Sequence, residues 1–314
     1  MTLKTESLLV KATLLLSSSL TVMAGATIAP SLPAMRDHFA AMPNADYWVR
    51  LVLTVPALFI AIGAPFVGTA IDRFGRKPLL AIAVLLYSVA GTSGALLDAI
   101  GLILVGRVLL GLSVAGIMTT ATALIADYYS GAARAQFLGF QAGFMGLGGV
   151  VFLSLGGFLA DINWRLPFLI YLLALLILPL VVFVLPEPNR ISEIQTSAGD
   201  LTDAFPWKIV GVTYGAALVS QIVFYLIPVQ LPFYLKQLVN ANASQSGLAI
   251  ALATLFSAGS AIAYKSIKAR LSFIGIYAIA FLSMAVGYLV ISFPRPMPWF
   301  SRAAIAGAGL GLLM

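Results

Sequence analysis

Between two apolar stretches the chain reads Gly68-Thr69-Ala70-Ile71-Asp72-Arg73-Phe74-Gly75-Arg76-Lys77-Pro78, a concentration of charge in a sequence that otherwise avoids it. Asp72 and Arg76 are four residues apart, so on a continuous helix they share a face and can form an ion pair. A second isolated charge, Arg107, interrupts the apolar run from Leu102 to Gly111. A cation at mid-bilayer costs about 2.5–3.5 kcal/mol on insertion scales, so this guanidinium must face a polar cavity or a partner. The alternative is snorkelling, since a span beginning at Ile100 leaves Arg107 only about two turns deep. Other chemistries lack their residues. With no cysteine there is no disulfide or thiolate nucleophile, and the single histidine, His38, makes no metal cluster. There is no Ser/His/Asp set and no phosphate-binding P-loop, so neither an enzyme nor a bound metal or cofactor is predicted.

These residues need helices to position them, and the composition says where those helices lie. Hydrophobic residues make up 61% of the chain and charged residues 9%, against about 25% charged in soluble domains. The chain is built for lipid. Its net charge of +7 is scattered over short loops and forms no stripe, which argues against nucleic acid as a partner. At 1.5 Å per residue, about 20 apolar residues cross the hydrocarbon layer. About ten such spans are predicted, near 8–29, 48–70, 78–97, 100–124, 136–160, 166–185, 208–231, 246–264, 271–292 and 298–314. Ala24-Gly25-Ala26 imitates a signal-peptidase site, but the topology needs the first span in place.

With the amino terminus in the cytoplasm, most Lys and Arg residues fall in cytoplasmic loops, among them Arg73, Arg76, Lys77, Arg134, Arg190, Lys265 and Lys268. The stretch from Pro186 to Asp203 is the only long polar segment and reads as a linker. The predicted organisation is a six-helix transmembrane half over 1–185, a cytoplasmic linker over 186–207, and an incomplete second half of about four helices over 208–314.

The pattern G-x-x-x-D-R-x-G-R-K-P at Gly68–Pro78 resembles the signature loop of the major facilitator superfamily, which joins the second and third transmembrane helices. The resemblance implies an all-α polytopic membrane protein of six plus six helices that moves a small solute by alternating access. It also implies a conformational latch made by Asp72, Arg76 and Asp127, with Arg73 and Lys77 in the same basic loop and Gly68 and Gly75 permitting close approach and a tight turn. Arg107 with Gly111 is similar to the family's fourth-helix motif, R-x-x-q-G, whose arginine is linked to proton or substrate coupling; Leu110 stands where a polar residue is common. Twelve spans are the family's pattern, so the chain, ending inside a tenth, is expected to lack two and to transport poorly.

The fifth span carries Gly139, Gly143, Gly146, Gly148, Gly149, Gly156 and Gly157, and small residues of this kind let helices pack closely. Gly139, Gly148, Gly156 and Gly157 resemble the antiporter motif of the drug-exporting branch, although Phe152-Leu153 replace its Gly-Pro pair. In the seventh span Pro228 and Pro232 remove two hydrogen-bond donors, which suggests a hinge or gate, or for Pro232 a simple helix end. Gln141, Gln221 and Tyr225, with Thr21, Thr119 and Thr120, are candidate cavity or substrate residues. No Asp or Glu lies deep in a predicted span, so either the substrate is neutral or anionic, or the titratable group lies beyond Met314, or coupling uses no carboxylate.

The expected protein is a monomeric transporter of the plasma membrane, a proton-coupled exporter of drugs or metabolites or else a facilitator or symporter importing a sugar or organic acid. A membrane-embedded enzyme or receptor is the rival from another class. The orientation is testable because the chain has no cysteine background. Ser197→Cys should resist an impermeant thiol reagent on whole cells and react after permeabilisation; labelling from outside would overturn the topology.

Overall fold

The computed structural model describes residues 7–188, 207–268 and 270–292, and among them every regular element is helical. Helix α1 (Leu8–Ala26) passes through a 3-10 turn (Ala29–Ser31) into α2 (Leu32–His38). There follow α3 (Ala45–Phe74), α4 (Arg76–Leu96), α5 (Ile100–Tyr128) and α6 (Gly131–Ile162). A 3-10 segment (Leu166–Leu172) leads into α7 (Leu173–Val184), and then come α8 (Trp207–Val239), α9 (Ala243–Lys268) and α10 (Phe273–Ser292). Seven described segments are long and apolar enough to cross a membrane, and shorter apolar runs lie in α9 and α10. Helices satisfy their own backbone groups, which is what lets them cross lipid. The nine predicted spans that fall on described residues each coincide with helix, while 298–314 and most of the linker lie outside those residues.

Three expectations change. Helix α3 does not continue through Arg76; it stops at Phe74 because Gly75 takes φ +93°, and Arg76 opens a new helix. Asp72 and Arg76 therefore do not share one helical face. Helix α8 neither ends nor breaks at its prolines, since both Pro228 and Pro232 lie inside one helix that runs to Val239. Each proline removes a single donor, and the rest of the hydrogen-bond ladder carries the helix past it. The sixth span starts as a 3-10 helix, with Pro167 near its first position.

Among α1 to α5, α5 is central, packed along α3 and α4 and touching α1. Its approach to α3 depends on Gly111, where a Cβ would lie 2.5 Å from the Pro56 carbonyl oxygen and 2.9 Å from Phe59 Cβ. Gly116 does the same against Ala83 on α4, at 2.8 Å. Helix α6 uses its glycines on two neighbours. A Cβ on Gly156 would overlap the Thr27 carbonyl oxygen, and one on Gly157 would lie 2.7 Å from that of Ala243 at the start of α9. Gly148 is looser, 3.5 Å from Ser19. Gly68 and Gly139 differ from expectation, because a Cβ on either would meet nothing within 4 Å.

These contrasts predict a graded series. Gly111→Ala and Gly156→Ala should each lower stability by about 1–3 kcal/mol through overpacking, whereas Gly68→Ala and Gly139→Ala should leave it unchanged or raise it. Thermal melting of the detergent-purified variants checks this, and an equal loss at Gly139 would contradict the packing.

Candidate functional site

Two clusters carry the polar chemistry, one at the end of the bundle that holds the Gly75 turn and one in the core of the first half. At the turn, Arg76 Nε lies 2.5 Å from Asp127 Oδ2, and Arg76 Nη2 donates to Asp127 Oδ1 at 3.5 Å. Both side chains are about one quarter exposed. Glu187 completes the cluster: its Oε1 accepts the Arg76 backbone N–H and its Oε2 that of Lys77, both at 2.8 Å. These N–H groups open α4, where a carboxylate is favoured by the unpaired donors and the helix dipole. Tyr128 donates to the Pro186 carbonyl oxygen and fixes the same segment from the other side. A Cβ on Gly75 would press on Glu187 at 2.7 Å, so glycine is required here for space as well as for its positive φ.

Of the predicted latch residues, the structure brings Arg76 and Asp127 together with the Gly75 turn. Asp72 and Arg73 lie exposed on the last turn of α3, and Arg73 stacks on Phe74 with 5.5 Å from guanidinium to ring centre. Glu187 takes the place beside Arg76 that Asp72 was expected to hold. Sequence reasoning passed over Glu187 because it sits in a proline-flanked polar stretch that reads as linker. The signal was its pairing of a lone acidic residue with a helix start elsewhere, which no local pattern reveals.

Arg107 is fully buried. It reaches neither outer water nor an open cavity, but donates to the Gly91 carbonyl oxygen on α4 at 3.0 Å and to the Tyr171 hydroxyl at 3.1 Å. Its guanidinium carbon lies 4.7 Å from the centre of Phe168 and 5.1 Å from that of Tyr171. The Tyr171 hydroxyl donates to the Ala24 carbonyl oxygen at 2.7 Å, and that of Tyr87 to the Leu20 carbonyl oxygen at 2.7 Å. One cation thus joins α5 to α4, to the 3-10 segment and, through Tyr171, to α1. Charged hydrogen bonds of about 1.5–3 kcal/mol each are of the size needed to offset the insertion cost.

The remaining candidates divide. Gln141 Nε2 donates to Ser18 Oγ at 2.7 Å, and Ser18 donates in turn to the Leu14 carbonyl oxygen, which joins α6 to α1. Gln221 is exposed and Tyr225 half-buried on α8, with Tyr225 edge-on to Phe224. Pro228 and Pro232 belong to the second half of α8, where Ile227, Val229, Leu231, Phe233 and Leu235 are buried, while Val212, Tyr214 and Leu218 in its first half are exposed.

At the opposite end of the bundle α2, α3 and α6 meet α8 and α9 through groups that were not predicted. Asp161 closes α6 and accepts the backbone N–H groups of Ala243 and Ser244 at 2.6 and 3.1 Å, together with the Ser244 hydroxyl. Lys236 on α8 pairs with Asp37 on α2, and the Arg50 guanidinium lies 4.7 Å from the centre of Phe233.

A chain of long apolar helices, with charges gathered at the helix ends and one buried cation hydrogen-bonded to a carbonyl and a phenol, is a multi-pass membrane protein. The sequence profile of the Major Facilitator Superfamily matches residues 14–314, and the chain belongs to that family. It is 35% identical over 142 residues to Multidrug resistance protein 1 of Bacillus subtilis, covering 45% of this chain and 36% of that protein. Over 212 residues it is 26% identical to the quinolone resistance protein NorA of Staphylococcus aureus, covering 66% and 54%. Tetracycline resistance protein, class H, of Pasteurella multocida is 28% identical over 187 residues, covering 57% and 46%. The matched segments thus span about half or less of these relatives' lengths. Among solved structures, a D-xylose-proton symporter superposes with a TM-score of 0.76 at 18% identity over 97% of this chain and 80% of its own. A bacterial homolog of the human lysosomal transporter Spinster gives 0.75 at 21% over 97% and 72%.

The burial of Arg107 predicts that Arg107→Lys, which keeps the charge but loses the planar fork and the stacking, is destabilising by about 2 kcal/mol. Arg76→Lys at the partly exposed pair should cost at most about 1 kcal/mol. Melting curves of the purified variants distinguish the two sites, and a harmless Arg107→Lys would show that the buried contacts do not hold the half together.

Proposed function

We propose that the protein is a transporter that moves a small, largely apolar solute out of the cell by alternating access, most simply a drug or metabolite exchanged for protons. The observation that carries this reading is the one-sided docking of the second half. Helix α8 buries only its second half, and α9 meets α6 from Asp161 to Gly149. The three resistance proteins named above favour an exporter. The reading places residues 1–185 and 208–314 as the two halves joined by a linker over 186–207, with the amino terminus cytoplasmic. The Gly75 turn then faces the cytoplasm, and the chain is a monomer of the plasma membrane without enzymatic activity.

In this scheme Arg76, Asp127 and Glu187 hold the α3–α4 turn rigid. Asp72, Arg73 and Lys77 stand at the same end, on either side of the Gly75 turn. Arg107 acts as a positioning residue that keeps α1, α4 and α5 in register, so that Gln141, Gln221 and Tyr225 line the solute path from opposite halves. Among the described residues no Asp or Glu lies midway along a spanning helix, so proton coupling rests on the likeness to the exporters. A second reading, import of a sugar or organic acid, is favoured by Phe152-Leu153 standing where the antiporter motif has Gly-Pro.

Cells expressing the protein should accumulate less quinolone or tetracycline than cells expressing Asp127→Ala, with the difference abolished by a protonophore. Saturable inward flux of a sugar, with no effect on either drug, would replace the exporter by the importer.

A further inference from the structure

At the end of the bundle away from the Gly75 turn, Asp161 is the last acidic group of α6, and α9 begins opposite it at Ala243. Its carboxylate takes the two first backbone N–H groups of α9 and the Ser244 hydroxyl, so three donors of the second half converge on one residue of the first. Such bonds combine a full charge with unpaired helix donors and the positive end of the helix dipole, which makes them stronger than neutral ones. The helices below them are in backbone contact. A Cβ on Gly157 would lie 2.7 Å from the Ala243 carbonyl oxygen, and one on Gly247 would lie 2.5 Å from that of Leu153. Further along, Gly149 is 3.5 Å from Thr254 by the same measure. From Asp161 to Gly149 is about 18 Å of helix. Beyond it, at Gly143 and Gly139, a Cβ would meet nothing within 4 Å.

Two independent contacts close the same end from α8. Lys236 pairs with Asp37, which also faces Arg36 with 3.3 Å between Arg36 Nε and Asp37 Oδ1. Phe233 lies under the Arg50 guanidinium. The buried part of α8 that holds Pro228 and Pro232 is the part that docks here.

We propose that Asp161 is the lock of this end: by capping α9 it holds α6 and α9 together and sets the ratio between states closed and open at the outer face. The proposal rests on the alternating-access reading and adds the residue that biases the equilibrium. A lock of this kind shifts populations only as far as its contacts differ between the two states. In the open state Asp161 and the α9 donors each return to water, so the difference is that of a few charged hydrogen bonds.

The test measures distances between spin labels in the intact protein, one pair at each end: Ala41→Cys with Gln237→Cys near the lock, and Ala132→Cys with Val212→Cys at the other. In the parent the first pair should give a single short distance. Asp161→Ala should add a longer population, raising the open-to-closed ratio about tenfold or more, and shorten the Ala132–Val212 distance. Asp161→Asn, which keeps one acceptor oxygen, and Ser244→Ala, which loses only the hydroxyl bond, should shift it less. Unchanged distances in Asp161→Ala would overturn the proposal, as would equal broadening at both ends with a lowered melting temperature, the mark of a purely structural cap. No substrate is needed for the distances, so an absence of flux would count against transport without touching the lock, and a fixed distance would count against the lock without touching transport.

Discussion

A guanidinium cannot lie bare among hydrocarbon side chains, and the arrangement of the first half follows from meeting that demand without a counter-ion. Arg107 donates from its two terminal nitrogens to a backbone carbonyl and a phenol and is covered by two aromatic faces, while its buried Nε–H makes no hydrogen bond. Neutral acceptors of this kind must be brought from several elements at once. Gly91 can offer its carbonyl because it has no side chain; a Cβ there would lie 2.6 Å from Tyr171 Cβ. Tyr171 in turn is aligned by the Ala24 carbonyl oxygen. The positions of α1, α4, α5 and the 3-10 segment are therefore linked through one side chain, and a shift of any of them would break one of these buried hydrogen bonds.

The two ends of the bundle solve a different problem, because there water competes for every charge. At the Gly75 turn the carboxylates of Asp127 and Glu187 share Arg76 between its side chain and its backbone. This fixes a tight turn within one half. At the far end Asp161 and Asp37 reach across to α9 and α8. The chemistry is similar at both, carboxylate to cation or to helix donor, but the first arrangement stiffens one turn and the second joins α2 and α6 to α8 and α9.

Much of the architecture was legible because lipid imposes a coarse rule: helices must be long and apolar, and each predicted span on described residues met one. Gly75 was legible as a turn, and the charge at Arg107 as one needing partners. What those partners were was not, since Gly91 and Tyr171 carry no local pattern that marks them as acceptors. Asp127 was found through the family resemblance. Glu187 and Asp161 were missed for a common reason: each acts on backbone N–H groups 110 and 82 residues away in sequence, and a capping partner so distant is set by tertiary packing alone. Pro228 and Pro232 do not end α8, because a helix braced by neighbours tolerates a missing donor that an isolated one would not.

Glu187 also decides where the chain beyond α7 is anchored mechanically. The chain leaves α7 at Val184, yet it is held again two to three residues later, by Tyr128 on Pro186 and by the start of α4 on Glu187. A chain that is pulled transmits the force at its point of attachment. A pull that reaches Glu187 is thus delivered to the α3–α4 turn, and α7 is shielded from it. The signature loop is the part of the bundle that would feel the load.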